Sequence, residues 1–205
     1  LKLARLWDGE LVGADSVQVY RGFDIGSAKA TQAELGDIPH HLIDIANPDQ
    51  EIDAARYAQL ADQAIKAIWS KGKLPIIVGG TGLWLRALLR GLVHTPQADP
   101  LIRQELEEQA QKRGLTWLHD KLKKVDPYSA STIHANDRLR IIRALEVYQQ
   151  TGQALGELRK QHALGKPRYN AYACVLDIPN ELIRERIAAR NQVMMQKGWI
   201  NEIHT

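Results

Sequence analysis

Leu74-Pro75-Ile76-Ile77-Val78-Gly79-Gly80-Thr81-Gly82 is an apolar run too short for a helix, closed at once by two glycines and a hydroxyl. It reads as a buried parallel strand that turns sharply into a helix. A second run, Glu10 to Ala14, ends in Asp15-Ser16 and has the same character. Between the two, Tyr57, Leu60, Ala61, Ala64, Ile65 and Ile68 recur at the i, i+3, i+4, i+7 spacing of one helix face, and Lys71-Gly72-Lys73 supplies a basic last turn and a glycine stop. Strand, helix and strand in that order imply a right-handed crossover and a parallel sheet. A third apolar run, Ala171 to Ile178, predicts another strand, followed through Pro179-Asn180 by a helix from about Glu181 to Lys197.

The middle of the chain has a different rhythm. From Pro100 to about Gln161 the patterns are helical only: Leu101 to Arg113, Thr116 to Val125, Pro127 to Ile133 and Asp137 to Gln150. The last has Asn136 as its expected N-cap, Ile141, Leu145 and Tyr148 on one face, and Thr151-Gly152 as its stop. The expected organisation is an α/β core over residues 1–95, a helical insertion over 96–168, and the second part of the core over 169–205. Residues 101–170 hold 13 Lys/Arg against 8 Asp/Glu, a net of +5, so the positive charge is concentrated in the helices.

Composition narrows the class. The 205 residues carry 27 Lys+Arg and 24 Asp+Glu, a net of +3, with 44% hydrophobic and 25% charged residues. That balance excludes disordered, collagen-like and coiled-coil chains. No window approaches the ~20 apolar residues of a membrane span, so a soluble protein with no membrane partner is expected. Cys174 is the single cysteine, which precludes an internal disulfide, and no Cys/His cluster has zinc spacing, so a cytoplasmic protein without a structural metal is expected. The chain starts at Leu1 without Met and stops at Thr205 after what reads as an amphipathic helix, so it reads as a piece of a longer protein.

Four motifs can carry chemistry, and each has a plainer reading. In Asp15-Ser16-Val17-Gln18-Val19-Tyr20, a carboxylate, a hydroxyl and an amide leave a strand end, where open parallel sheets bind ligands. Asp15 can accept a proton or hold a magnesium ion through water, and Gln18 can read a purine edge; alternatively Asp15 merely caps a helix and Gln18 is solvated. Arg21 to Lys29 form a glycine-punctuated loop in which Lys29 is either a mobile phosphate-seeking charge or part of an ordinary surface loop. Gly79-Gly80-Thr81 expose backbone N–H groups and a helix start that suit a diphosphate, although a tight strand-to-helix turn needs glycine anyway. Arg140 and Arg143, three apart on a helix, suit phosphodiester contacts, or Arg143 and Glu146 form a surface ion pair. His40-His41 lack metal-ligand spacing and read as structural, Met194 and Met195 read as the core face of the last helix, and Cys174 reads as a buried small hydrophobe.

Five ordered blocks together resemble the tRNA dimethylallyltransferase (tRNA isopentenyltransferase) family. They are Asp15-Ser16-x-Gln18-x-Tyr20 with Gly22-x-Asp24-Ile25-Gly26-Ser27-Ala28-Lys29, Pro39-His40-His41-Leu42-Ile43-Asp44, Val78-Gly79-Gly80-Thr81-Gly82, and Asn136-Asp137-x-x-Arg140-x-x-Arg143-Ala144-Leu145-Glu146-Val147. The resemblance implies a P-loop, nucleotide-kinase-like parallel-sheet core with an all-helical insertion. It also implies transfer of a dimethylallyl group from dimethylallyl diphosphate to N6 of the adenosine 3′-adjacent to the anticodon, in tRNAs reading codons that begin with U. Asp15 and Thr81 are then the catalytic pair, and Gly79, Gly80 and Thr81 the diphosphate site. The tRNA anticodon stem-loop would be met by Asp15, Ser16, Val17, Gln18, Thr81, Arg103, Leu139, Arg140, Ile141, Ile142 and Arg143. Magnesium is expected mainly through a phosphate-binding loop that the family carries before residue 1, and no metal ligand is expected in this chain. A Gly-Tyr-Arg block with a pyrophosphate-binding arginine is expected after Thr205, so the isolated chain is expected to transfer no prenyl group. A monomer is expected. The rival readings are a P-loop nucleotide kinase, with the basic helices as a lid, and an inert RNA-binding module.

Overall fold

The computed structural model describes residues 1–163 and 167–204. The chain divides into two compact units, one made of Leu1–Gly91 and the chain from Pro167 onward, the other of Leu92–Lys166.

In the first unit, helix α1 (Lys2–Leu6) leads into strand β1 (Gly9–Gly13). Helix α2 (Gln32–Leu35) and strand β2 (His40–His41) precede helix α3 (Ala54–Ser70), strand β3 (Leu74–Val78) and helix α4 (Gly82–Arg90). The sheet order is β2-β1-β3 and both pairings are parallel, with Gly13 level with Val78 and Val12 level with His41. This mixed α/β arrangement puts the carboxyl ends of β1 and β3 side by side. Asp53 caps α3 by accepting the Arg56 N–H at 2.7 Å, and the apolar stripe from Tyr57 through Ala61 and Ile65 to Ile68 is buried beneath it. Trp84 of α4 stacks on Tyr57 with ring centroids 4.4 Å apart. These residues close one core with Val12, Ala14 and Val19.

Sequence patterning overlooked α2, β2 and the group beneath the sheet. Thr31 and Glu34 form a reciprocal capping box that holds the single turn of α2. Glu10 is buried on β1, and His41 from β2 meets its carboxylate at 2.7 Å while Lys71 donates to both of its oxygens at 3.0 Å. His40 bonds the Ile38 carbonyl at 2.8 Å. Burial pushes the Glu10 carboxyl up, but the hydrogen bonds from His41 and Lys71 outweigh it and hold the group below the ordinary carboxylate range.

The strand expected over 171–178 is absent. Those residues have no sheet partner among the described residues, and Tyr172, Val175 and Leu176 are fully exposed. An apolar run states what favours burial, whereas a strand also needs a neighbour to take its N–H and C=O groups. Cys174, expected inside that strand, is accordingly exposed. The preceding residues are well anchored: Arg168 donates to the Leu88 carbonyl at 2.9 Å and pairs with Asp62, and the Tyr169 hydroxyl donates to the same carboxylate. Helix α10 (Asn180–Gln196) buries Met194 but leaves Met195 exposed, because adjacent helical residues point about 100° apart. Helix α11 (Trp199–His204) follows.

The second unit is helical: α5 (Pro100–Arg113), α6 (Leu115–Val125), α7 (Pro127–Thr132), α8 (Arg138–Thr151) and α9 (Leu155–Ala163). Asp99-Pro100 and Asp126-Pro127 each place a carboxylate at the N-cap and a proline in the first turn, where its missing N–H costs nothing. Asp137, one residue after the expected Asn136, caps α8 by accepting the Arg140 N–H at 3.2 Å, and Gly152 ends the helix in the left-handed conformation. Leu106, Leu118, Leu122, Ile141 and Leu145 form its core. Buried His119 turns Nε2 toward the carbonyls of Ala130 and Ile133, so that nitrogen carries the proton.

Candidate functional site

The ladder between β1 and β3 continues past both strands. Ala14 N–H donates to the Val78 carbonyl at 2.8 Å, and Thr81 N–H donates to the Ala14 carbonyl at 3.1 Å. Gly79 makes this possible: a Cβ there would lie 2.2 Å from the Ala14 oxygen and 2.4 Å from its carbonyl carbon. The two exits are therefore drawn together, and the Ser16 N–H donates to Thr81 Oγ1 at 3.0 Å. Thr81 stands at the N-cap of α4, yet its hydroxyl makes no capping bond to its own helix and reaches toward Ser16 Oγ at 3.4 Å instead.

Asp15 caps a turn rather than the helix considered above. Its Oδ1 accepts the N–H groups of Val17 at 2.8 Å and Gln18 at 3.2 Å, an Asx turn that locks the side chain. Among the described residues no hydrogen bond engages Oδ2, which leaves one acceptor oxygen on a fixed carboxylate. Ala14 and Ser16, the chain neighbours of Asp15, are both bonded to Thr81, so the two residues stand at adjacent strand exits.

Gln18 is half-buried, and its Nε2 donates to the Ser27 carbonyl at 3.0 Å, an arrangement that orients Oε1 as the remaining acceptor. Lys29 is not the mobile charge considered above. Its side chain is only 5% exposed, and its Nζ donates to the Tyr20 carbonyl at 2.9 Å and to Asp24 and Asp44 at 2.6 Å each. Burial lowers its pKa, and the two carboxylates more than reverse this, leaving the ammonium above its usual value. Ala28, Leu42 and Asp44 all have positive φ, and of these Asp44 is tied directly to Lys29. Glu202 of α11 was not visible in the sequence: its carboxylate takes the N–H groups of Asp24, Ile25 and Gly26 at 2.6–2.9 Å, from 176 to 178 residues away.

In the helical unit the basic residues separate into two groups. Leu139 and Arg140 are 78% and 71% exposed. Ile141 and Ile142, expected at the RNA surface, have buried side chains in the helical core, and so cannot present them to a ligand. Arg143 is corrected too. It donates to Glu146 at 2.7 Å, to Thr95 Oγ1 at 3.0 Å and to the Pro96 carbonyl at 2.6 Å, so its fork is spent on the fold. Nor is its pair with Glu146 a surface one, because that side chain is 0% exposed and also accepts the Asp99 N–H at 2.8 Å. Arg103 lies 3.4 Å from the same carboxylate with about half its side chain exposed, which leaves donors for a ligand.

No three His, Cys, Asp or Glu side chains converge as a metal cage among the described residues. No helix is long and apolar enough to cross a membrane among the described residues.

Fold and site define a class: a parallel α/β protein with a carboxylate and two hydroxyls at adjacent strand ends, and a helical unit. The chain belongs to the IPP transferase family, whose model matches residues 18–205. It is 45% identical over 203 residues to tRNA dimethylallyltransferase 1 of Pelobacter propionicus, covering 99% of this chain and 66% of that protein. It is 46% identical over 202 residues to the tRNA dimethylallyltransferase of Anaeromyxobacter dehalogenans, again covering 66% of the relative. The chain thus spans just under two thirds of the length of these relatives. Among solved structures, a eukaryotic dimethylallyltransferase acting on tRNA superimposes with a TM-score of 0.80 at 28% identity, over 99% of this chain and 50% of that one.

Proposed function

We propose that this chain carries the acceptor side of a tRNA dimethylallyltransferase. The reaction moves the dimethylallyl group of dimethylallyl diphosphate to N6 of the adenosine 3′-adjacent to the anticodon, giving N6-isopentenyladenosine in tRNAs that read U-initial codons. The observation that supports the reading is that Thr81, at the end of β3, is bonded to both chain neighbours of Asp15 at the end of β1, through the Ala14 carbonyl and the Ser16 N–H. An exocyclic amine is a weak nucleophile, so the allylic carbon must gain cation character as its C–O bond breaks and the electron pair leaves with diphosphate. Donors aimed at that leaving group are the largest available help. On this reading the Thr81 hydroxyl and the N–H groups of Gly80 and Gly82 take that task, the Thr81 N–H being already given to the Ala14 carbonyl. As the N6–C bond forms, the amine sheds a proton, and Asp15 Oδ2 accepts it. Gln18 Oε1 suits a base with an exocyclic N–H, and the base must leave its stack to reach the site. Arg103, Leu139 and Arg140 contact the anticodon stem-loop. The finer reading of the sheet is a P-loop, nucleotide-kinase-like core. Magnesium would accompany the diphosphate, with its protein ligands outside the residues described. The catalytic unit is a monomer on this reading.

Incubation of the full-length protein with dimethylallyl diphosphate and unmodified tRNA, followed by digestion to nucleosides, tests the proposal. The expected product is N6-isopentenyladenosine. Phosphoryl transfer from ATP to a nucleotide, or binding of stem-loops without modification, would overturn it in favour of a kinase or an inert RNA-binding module.

A further inference from the structure

The loop at residues 22–29 has no sheet or helix to take its backbone donors, yet three consecutive N–H groups in it are satisfied by one distant side chain. Glu202 Oε2 accepts Asp24 at 2.9 Å and Ile25 at 2.6 Å, and Oε1 accepts Gly26 at 2.9 Å. Trp199, three residues earlier in α11, lies against the same loop: a Cβ on Gly26 would come 2.1 Å from its Nε1. Burial pushes the Glu202 carboxyl up, but the three N–H bonds from Gly26, Ile25 and Asp24 outweigh it and hold the group below its ordinary range. The next residue, Ser27, offers the carbonyl that accepts Gln18 Nε2 at 3.0 Å. Gln18 is tied in turn to Asp15 Oδ1 through its own N–H at 3.2 Å. Hydrogen bonds joined through the Gly26–Ser27 peptide therefore link α11 to the Gln18 carboxamide, whose own backbone N–H is bonded to Asp15.

We propose that Glu202, seated with Trp199 on the 24–26 loop, is a positioning residue for Gln18: it fixes the Ser27 carbonyl, and through it the direction in which the Gln18 carboxamide faces an incoming nucleobase. This rests on the functional reading above, in which Gln18 meets the base. Glu202 touches no substrate. Its loss lets the loop drift and frees the carboxamide to turn, so the base is still captured but is misaligned for transfer.

The experiment pairs Glu202→Ala and Glu202→Gln with Gln18→Ala in a double-mutant cycle on the full-length protein. Steady-state transfer to tRNA, amide exchange at 24–26 and the Gln18 side-chain amide resonance are the readouts. Glu202→Ala is expected to lower kcat about thirtyfold with KM for tRNA within about threefold, and to raise exchange at the three amides at least about tenfold. Glu202→Gln, which keeps one acceptor oxygen but turns an NH2 donor toward the remaining N–H, is expected to recover only part of the rate. In the Gln18→Ala background, removal of Glu202 is expected to cost less than about threefold more. An equal loss from Glu202→Ala in both backgrounds would overturn the proposal, as would a Gln18 side-chain resonance unmoved by the substitution. If the parent protein transfers no prenyl group, the functional reading fails by itself. The amide exchange and the Gln18 resonance then still decide whether Glu202 orients that side chain, and an unmoved resonance overturns the proposal there too.

Discussion

Replacing Gly79 by alanine inserts one methyl group between the two strand ends. Its Cβ would sit 2.2 Å from the Ala14 oxygen, 2.4 Å from its carbonyl carbon and 2.8 Å from its Cα, all backbone atoms that no rotamer change can move. Ordinary carbon–oxygen contact lies about 1 Å farther out, so the exits of β1 and β3 must separate by about that distance. The Ser16 N–H to Thr81 Oγ1 bond, now 3.0 Å, would lengthen to about 4 Å and cease to be a hydrogen bond. Overpacking of this kind costs about 1–3 kcal/mol, which for a chain of this length is a fall in Tm of about 2–12 °C. A misplacement of about 1 Å between reacting groups costs about a hundredfold in rate. Gly80→Ala is the internal control for stability, since a Cβ there meets nothing within 4 Å, and its Tm should fall by no more than about 2 °C. Differential scanning calorimetry and a tRNA modification time course on the two variants supply both readouts. Equal melting temperatures for Gly79→Ala and the parent, with full activity, would refute the argument that this close approach builds the site.

Other outcomes follow from the same contacts. Glu10 has a lowered folded pKa, so its contribution is complete above the unfolded value near 4.5 and is lost as pH falls through the folded one. Urea titrations of the parent should therefore show stability declining below pH 4.5, and Glu10→Gln should flatten that decline while costing about 3 kcal/mol at neutral pH. Arg140→Ala should weaken stem-loop binding and reduce the magnitude of the log K against log salt slope by about 1, as expected of a lost phosphate contact. Arg143→Ala should instead lower Tm while leaving the salt slope of the still-folded protein unchanged, because its donors serve Glu146, Thr95 and Pro96. Ile142→Ala should cost about 2–5 kcal/mol in chemical denaturation, as a cavity in the helical core does, rather than act on RNA binding directly.

Periodic, locally determined features were legible in the residues. Strand β3 lies over Leu74–Val78 as its apolar run indicates, α3 follows the Tyr57-to-Ile68 stripe, and α5 to α8 begin and end within about a residue of their patterns. The adjacency of the β1 and β3 exits was legible too, because a parallel crossover brings neighbouring strand ends to the same edge of a sheet. What stayed hidden depends on partners far away in the chain. Glu10 looks like a strand residue with an awkward charge until His41 and Lys71 arrive on either side of it. Nothing local marks Glu202 as the acceptor for residues 24–26. Arg143 and Ile142 were misread because a motif states which residue types recur and not which of them point inward; on α8 the exposed Arg140 and the engaged Arg143 lie less than one turn apart. Ala171 to Ile178 shows the converse, an apolar pattern with no strand beside it.

The cooperation of Asp15 with Thr81 is tested most directly by a double-mutant cycle with Asp15→Asn and Thr81→Ala, measured as single-turnover formation of N6-isopentenyladenosine. If the two side chains serve one reacting centre, each substitution lowers the rate by about a hundredfold or more, and the pair together costs far less than the product of the two. Losses that multiply independently, or a rate untouched by Asp15→Asn, would contradict the account.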